Sequence, residues 1–373
     1  LRLDRDLGGG AAATAEGGLA QVEKEVFVTG IGRVQVPKAL KPWGRLNYSN
    51  KNFFAQAWVQ GRNSVDPQLS LSSGLPLIER SLITQAEAQY RTGIGADERL
   101  FFIGGASFRY QHINTEGTLM QAPHDDNMTG VYTQLEYGLT PALKLTGAIR
   151  WDRSTVRDDR FSPKVAAVWS AAANHTFRAS FNQAFQAPNH SELFLYVLRT
   201  ATTPYTGLKS YFAYHGNEHL VVEKITCYEL GYKGIFSKAL FITIDGYYND
   251  LKDFITDLAP GTHPDYPEPV ILPGDTVLRA IWSYSNAGRV DEMGAEVAVN
   301  FYLTDEWVLD ANWSWFDFRV LEKSDKDVLL PNAPKNKFNG GITYQGAQGL
   351  TVGASVKYIP PFQWAAGIYQ GPI

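Results

Sequence analysis

Apolar and polar residues alternate one by one through most of this chain. In Leu143-Lys144-Leu145-Thr146-Gly147-Ala148-Ile149-Arg150-Trp151 the odd positions are apolar or small and most even ones are polar. Successive side chains of a strand point to opposite faces, so such a segment has one apolar and one wet face. The pattern returns in Trp307, Leu309, Ala311, Trp313 and Trp315 against Asp310, Asn312 and Ser314, and in Met293, Ala295, Val297, Val299 and Phe301 against Glu296 and Asn300. Phe177, Ala179 and Phe181 alternate with Arg178, Ser180 and Asn182, and Leu240, Ile242, Ile244 and Tyr248 with Thr243 and Asp245. Weaker versions occupy 52–60, 83–91, 98–110, 129–139, 163–170, 225–233, 337–345 and 350–358. The stretches approach ten residues, about the length a tilted strand needs to cross a bilayer.

The connections alternate in length. Tight turns are expected near Ser49-Asn50-Lys51, Gly93-Ile94-Gly95, Thr140-Pro141, Ala171 to Asn174, Phe236-Ser237-Lys238, Thr304-Asp305 and Gln345-Gly346. Longer segments lie between them, at 30–42, 62–77, 111–128, 152–160, 186–224, 258–279 and 318–335. Short periplasmic turns with long outer loops are the pattern of an outer-membrane barrel, and counting this way gives about sixteen strands. The expected fold is all-β, a transmembrane antiparallel up-and-down β-barrel. A soluble sandwich or propeller also alternates along its strands, but a propeller would repeat at about 40 to 50 residues with a blade signature, and none is visible. Tyr137, Trp151, Trp169, Tyr232, Tyr248, Trp282, Trp307 and Tyr358 fall near strand ends, where amphipathic rings form interfacial girdles.

Composition narrows the class. With 373 residues, 44% hydrophobic and 19% charged, the chain is not a disordered one. A net charge of -4 gives no reason to expect nucleic acid as a partner. No run reaches the roughly 18 apolar residues of a membrane-crossing helix. The mean hydropathy of -0.22 suits strands that average a lipid face with a wet one. Cys227 is the only cysteine, so neither an internal disulfide nor a paired-cysteine metal knuckle can form. Leu1 to Asp6 does not resemble a signal peptide.

Few residues propose chemistry. His215 and His219 stand four apart, as metal ligands on a helix do, but the intervening Gly216 and Asn217 disfavour a helix and suit a polar loop. His124-Asp125-Asp126 reads as a solvated loop before it reads as a cation site. The chain has no nucleophile elbow, Walker loop or dinucleotide fingerprint, so neither an enzyme nor a cofactor is expected, and no residue is assigned as catalytic or metal-ligating. Cys227 falls on the lumen face with no assigned role. Glu87, Arg109, Arg150, Arg178, Glu229, Asp245, Glu296 and Asp310 fall on polar positions of their strands and would face the lumen with mixed sign. The loop at 189–223 carries Arg199, Tyr205, Lys209, Tyr211, Phe212, Tyr214 and His215, whose cations and aromatic planes suit sugars, catecholates or other anionic chelates.

Several stretches resemble signatures of TonB-dependent outer-membrane receptors. Phe161-Ser162-Pro163-Lys164, Asn174-His175-Thr176-Phe177-Arg178-Ala179-Ser180-Phe181 and Ala184-Phe185-Gln186-Ala187-Pro188 are similar to consecutive motifs of that family. So are Gly216-Asn217-Glu218-His219-Leu220 with Glu223, then Tyr228-Glu229-Leu230-Gly231-Tyr232-Lys233-Gly234, and Tyr247-Tyr248-Asn249-Asp250-Leu251-Lys252-Asp253-Phe254-Ile255. Asn286-Ala287-Gly288-Arg289-Val290 with Gly294-Ala295-Glu296, and Pro331 to Asn339, continue the series in order.

The resemblance implies a barrel of about twenty-two strands, occluded by an N-terminal plug, whose periplasmic box is pulled by TonB at the expense of the inner-membrane proton gradient. Against that frame residues 1–373 would be a partial barrel, with the plug, the TonB box and about three strands at each end outside the sequence. The expected function is active, TonB-coupled uptake of a nutrient such as a metal chelate (a siderophore), cobalamin or an oligosaccharide. Expected partners are the TonB complex through the missing N-terminal region, outer-membrane lipid and the small-molecule ligand. A passive porin-like channel is the alternative, motivated by the mixed lumen charges, and an adhesive surface barrel is a third reading.

Overall fold

The computed structural model describes residues 1–372 apart from 30, 31, 72, 96, 98, 203–208, 257, 273, 274, 287, 324–329, 367 and 368. Sixteen strands form its main sheet. They are β1 (Arg2–Gly8), β2 (Ala11–Thr29), β3 (Gly32–Ser49), β4 (Phe53–Ser64), β5 (Arg80–Ile94), β6 (Leu100–Ile113), β7 (His124–Thr140) and β8 (Leu143–Ser154). There follow β9 (Arg160–Ala172), β10 (His175–Gln186), β11 (Glu223–Ile235), β12 (Leu240–Lys252), β13 (Arg289–Tyr302), β14 (Trp307–Glu322), β15 (Asn336–Gln345) and β16 (Thr351–Tyr358). Each pairs antiparallel with its neighbours in sequence, a continuous meander. Two short strands, Gln68–Ser70 and Pro76–Leu77, extend the sheet beside β3. Among the described residues β1 and β16 each have one partner, so the wall is open. The hairpin Gln363–Ala366 with Tyr369–Pro372 stands apart from it.

The turns at one end are short, from Gly9-Gly10 through Pro141-Ala142 and Ala173-Asn174 to 346–350, and the connections at the other end run up to 187–222 and 253–288. The segment 30–42, expected as a loop, departs from that reading: most of it is strand. β2 and β3 form a hairpin of 19 and 18 residues despite Pro37 and Pro42. Pro37 lies opposite a break in the β2 register at Lys24, which has φ 57°, and pairing between β3 and β4 lapses at Lys41 and Pro42. Proline enters a strand where no ladder donor is needed, and both positions meet that condition.

Register carries one polar row from strand to strand. Arg178, Gly231, Asp245, Glu296, Ser314 and Lys337 are successive partners across β10 to β15. Arg178 donates to Asp245 at 2.8 Å across β11. Gly231 stands between them, and a Cβ there would collide with both side chains. Gly294 does the same for the Tyr247 ring. On the opposite face Leu230 is 70% exposed, with Val165, Val356 and Leu46 similarly open. That face is apolar and suits lipid. Trp169, Phe177 and Tyr232 stack along it near the short turns, with ring centroids 5.7 and 4.9 Å apart, and Trp307 meets Tyr344 at 4.9 Å. Tyr228 and Tyr248 approach each other nearer the long connections. Trp282, expected in the girdle, lies instead in a strand of the long connections.

Leu230→Arg should lower stability in phospholipid vesicles by about 2–4 kcal/mol, because a cation would face the bilayer midplane, whereas Ser180→Arg on the polar face of the neighbouring strand should cost under about 1 kcal/mol. Urea titration followed by tryptophan fluorescence reads the difference.

Candidate functional site

The long connections fold into a layer of their own. Its central segment begins after β10 with a one-turn helix, α1 (His190–Phe194), capped by Asn189. The Asn189 side chain accepts from the Glu192 amide at 2.9 Å and Glu192 accepts from the Asn189 amide at 2.8 Å, a capping box. The chain then forms Tyr196–Thr202, which pairs antiparallel with Lys209–His215. Lys209–His215 pairs in parallel with Asp275–Ser283 from the β12–β13 connection, and Ala259–Pro260 and Glu268–Leu272 complete a five-stranded sheet. Buried apolar side chains concentrate here: Leu193, Leu195, Ala213, Leu220, Leu258 and Ile281.

Residues of the motif stretches tie this layer to the barrel. Asp250 receives a bidentate pair from Arg289 at 2.8 and 3.1 Å, bridging the outer ends of β12 and β13. Asn286 accepts from the Val221 amide at 2.8 Å and donates to the carbonyls of Val221 and Asp253 at 3.0 and 2.6 Å. Glu223 accepts from the Ile255 amide at 2.7 Å. Asn217 is buried and donates to the Tyr284 carbonyl at 3.0 Å. Gly216 packs so closely on the backbone of Leu193 that no Cβ fits there. The segment His215 to His219 is therefore a packed corner at Gly216 and Asn217, where a polar loop was expected, with Glu218 and His219 exposed.

Asp126 overturns a second expectation. It was read as part of a solvated loop, yet it is 0% exposed and ion-paired with Arg157, itself 8% exposed. Asp126 also accepts from Ser154 Oγ at 2.7 Å and Thr155 Oγ1 at 3.1 Å, while Arg157 Nε donates to the Pro188 carbonyl at 2.8 Å. One pair thereby joins β7, the β8–β9 connection and the entry to 187–222. Among the described residues no three His, Cys, Asp or Glu side chains are grouped to hold a metal ion.

The anticipated ligand residues divide between two faces. Arg199 is paired with Phe212 and Val197 with Tyr214, so Arg199, Phe212 and Tyr214 share a face, with Trp282 beside Tyr214. Tyr211 and His215 are on the opposite face, Lys209 is exposed, and Tyr205 lies outside the described residues. The first face looks into a cavity of about 180 Å³. The second borders a cleft of about 630 Å³ lined by His124, His215, His219, His263 and Asp265. Trp282 is the functional candidate that sequence reading missed, because a parallel partner so far along the chain leaves no local signal.

Below the layer, Arg109, Arg150, Arg178, Glu229, Asp245, Glu296 and Asp310 occupy one face of the sheet by register, and Glu87 joins them. Arg109 donates to Gln85 at 2.8 Å, Arg150 pairs with Asp152 at 2.6 Å, and Ser180 donates to Glu229 at 2.8 Å. Where Glu87, Arg109, Arg150 and Asp152 meet Arg157 and Val222, a polar cavity of about 350 Å³ joins this face to the loop layer.

A one-sheet wall with an apolar outer face, a charge-paired inner face and loops gathered at one end is that of an outer-membrane β-barrel of the receptor type. The chain belongs to the family described as TonB dependent receptor-like, beta-barrel, whose model matches residues 31–372. That family is one of receptors, not of enzymes, and the protein resides in the outer membrane. An iron-regulated outer membrane virulence protein of Vibrio cholerae is 23% identical over 224 residues, 60% of this chain and 32% of that protein. A vitamin B12 transporter of Vibrio vulnificus is 27% identical over 209 residues, 52% of this chain and 29% of the transporter. The chain thus matches about a third of the length of these curated relatives. A variant of the ferric enterobactin receptor of Pseudomonas aeruginosa shares the fold, with a TM-score of 0.73 at 14% identity over 96% of this chain and 56% of the receptor.

Arg157→Met leaves Asp126 buried without its counter-charge, a loss of about 3–5 kcal/mol for this junction. Limited proteolysis should then cut within 187–222 faster while the barrel strands stay protected.

A second outcome concerns acidity. Burial holds His190 and His215 below the usual histidine range, assisted by Arg157 at the first and His263 at the second, with Asp126 and Glu268 acting the other way. Depressed histidines stabilise the folded layer above the unfolded value of about 6.5, and that contribution is lost as pH falls below it, because the opened layer binds more protons. Hydrogen exchange in 187–222, corrected for intrinsic rates, should be faster at about pH 5 than near pH 7.5. Replacing both histidines by glutamine should flatten the difference.

Proposed function

We propose that this barrel is the wall of an outer-membrane receptor for active, TonB-coupled uptake of a nutrient, captured by the loop layer and passed toward the polar face below. The observation that carries this reading is the polar cavity where Arg109 and Arg150 meet Arg157 and Val222, since it connects a layer with ligand-sized cavities to a charge-paired lumen. Family membership supports it. So do the names of the relatives, an iron-regulated outer membrane protein, a vitamin B12 transporter and a ferric enterobactin receptor, which favour a metal chelate over an oligosaccharide. Arg199, Phe212 and Tyr214 would meet the ligand on one side of the loop sheet, Tyr211 and His215 on the other. On this reading residues 1–373 form barrel alone, and TonB engages a segment outside them.

Uptake of labelled metal chelate by cells expressing the protein should fall to background when TonB is deleted. Uptake undiminished in those cells, together with steady open-channel current in a planar bilayer, would replace the reading with a passive pore.

A further inference from the structure

Arg199 lines the cavity of about 180 Å³ between the loop sheet and two neighbouring connections. Leu195, Val197 and Arg199 alternate onto one face, beside Tyr214 and Trp282, whose rings lie 6.2 Å apart. Leu75, Leu77 and Leu119 close the far side. A cavity of roughly 150 Å³ with such walls holds benzene, so this one has room for a single ring or a branched alkyl group. Arg199 is half-buried, and among the described residues it has neither a hydrogen bond nor an ion pair. Among the described residues no carboxylate lines the cavity. The other arginines near the layer are matched differently: Arg157 is spent on Asp126, Arg279 on Glu268 at 2.9 Å and Arg289 on Asp250. A partly desolvated guanidinium with its donors unmatched is unfavourable until an anion meets it, and a planar carboxylate matches its fork in two bonds.

We propose that this cavity is a subsite for a small apolar acid, one aromatic ring or branched alkyl group ending in a carboxylate. The apolar body seats against Leu195, Leu77 and Trp282, and the carboxylate accepts from Arg199. Serving ligand selection rests on the receptor reading, whereas the binding itself does not. The acid can be a free solute or the exposed limb of a larger ligand, since the chemistry of recognition is the same.

Calorimetry on the purified protein with phenylacetate, and with phenylacetamide and acetate as controls, tests the proposal. Phenylacetate should bind saturably and at least about tenfold tighter than either control, one charge-assisted bidentate contact being worth that much. Arg199→Gln should reduce the preference for acid over amide to about twofold or less, and Arg199→Lys should restore part of it. Val197→Phe, which fills the cavity, should abolish binding of both, with an unchanged near-ultraviolet dichroism spectrum excluding misfolding. Equal binding of acid and amide, or an acid preference that survives in Arg199→Gln, overturns the proposal. If phenylacetate fails to bind a protein whose uptake still depends on TonB, this inference falls alone. If uptake proves independent of TonB, the receptor reading falls and the binding result stands.

Discussion

No water reaches the backbone in hydrocarbon, so every N–H and C=O of a crossing strand has to find its partner on the next strand. The antiparallel meander follows from that requirement, because neighbours in sequence supply the ladder with the shortest connections. Once the ladder is fixed, side chains can go only outward or inward. Outward positions are apolar, as at Leu230 and Val165, and inward ones carry the charges. A charge inward still needs a partner, and the ladder places it: Arg178 and Asp245 are two strands apart in one row, within reach because Gly231 leaves the place between them empty. Glycine here serves a side chain on another strand.

A wall one sheet thick has no interior of its own, so the buried apolar core moves elsewhere. Val222, Leu195, Ala213 and Ile281 are buried together in the loop layer, and Val290, at the outer end of β13, is buried beneath it. This makes the layer a small packed body whose backbone needs are met by its five-stranded sheet and by clamps from Asn217, Asn286 and Glu223. Its attachment depends on polar contacts at its rim, above all the buried Asp126–Arg157 pair. A buried pair of this kind fixes a geometry more surely than it adds net stability. The layer is thereby registered on β7 and β8, over the face that carries Arg109 and Arg150.

Legibility in the sequence followed the same physics. The thirteen alternating stretches read from residue 52 onward correspond one to one with β4 to β16, since lipid on one face and water on the other enforce period two. The first three strands had no such signature. Pro37, Pro42 and paired glycines at 17 and 18 break the alternation, and the tolerance for the two prolines comes from ladder gaps that only the three-dimensional register reveals. Beyond the lipid-facing span, at the outer end of β7 and in the long connections, no alternation against lipid exists, so Asp126 read as solvated and Trp282 as a girdle residue. Alternation within Lys209–His215 does separate Tyr211 and His215 from Phe212 and Tyr214 once that segment is known to be a strand. What could not be read is that Asp275–Ser283 lies beside it in parallel and makes the cavity wall.

The motif stretches that identify the family are the ones whose side chains are already used. Asp250 is committed to Arg289, Asn286 to three backbone groups, Glu223 to an amide, Gly216 to a close approach and Gly231 to the salt bridge beside it. Such residues report how loops are fastened to a barrel and are indifferent to what the loops bind. Ligand choice has to reside where side chains keep unmatched donors, outside those stretches. Arg199 meets that condition: it belongs to no motif, faces apolar walls and has no partner among the described residues. The family is therefore readable from the fastened residues, and specificity from the unfastened ones.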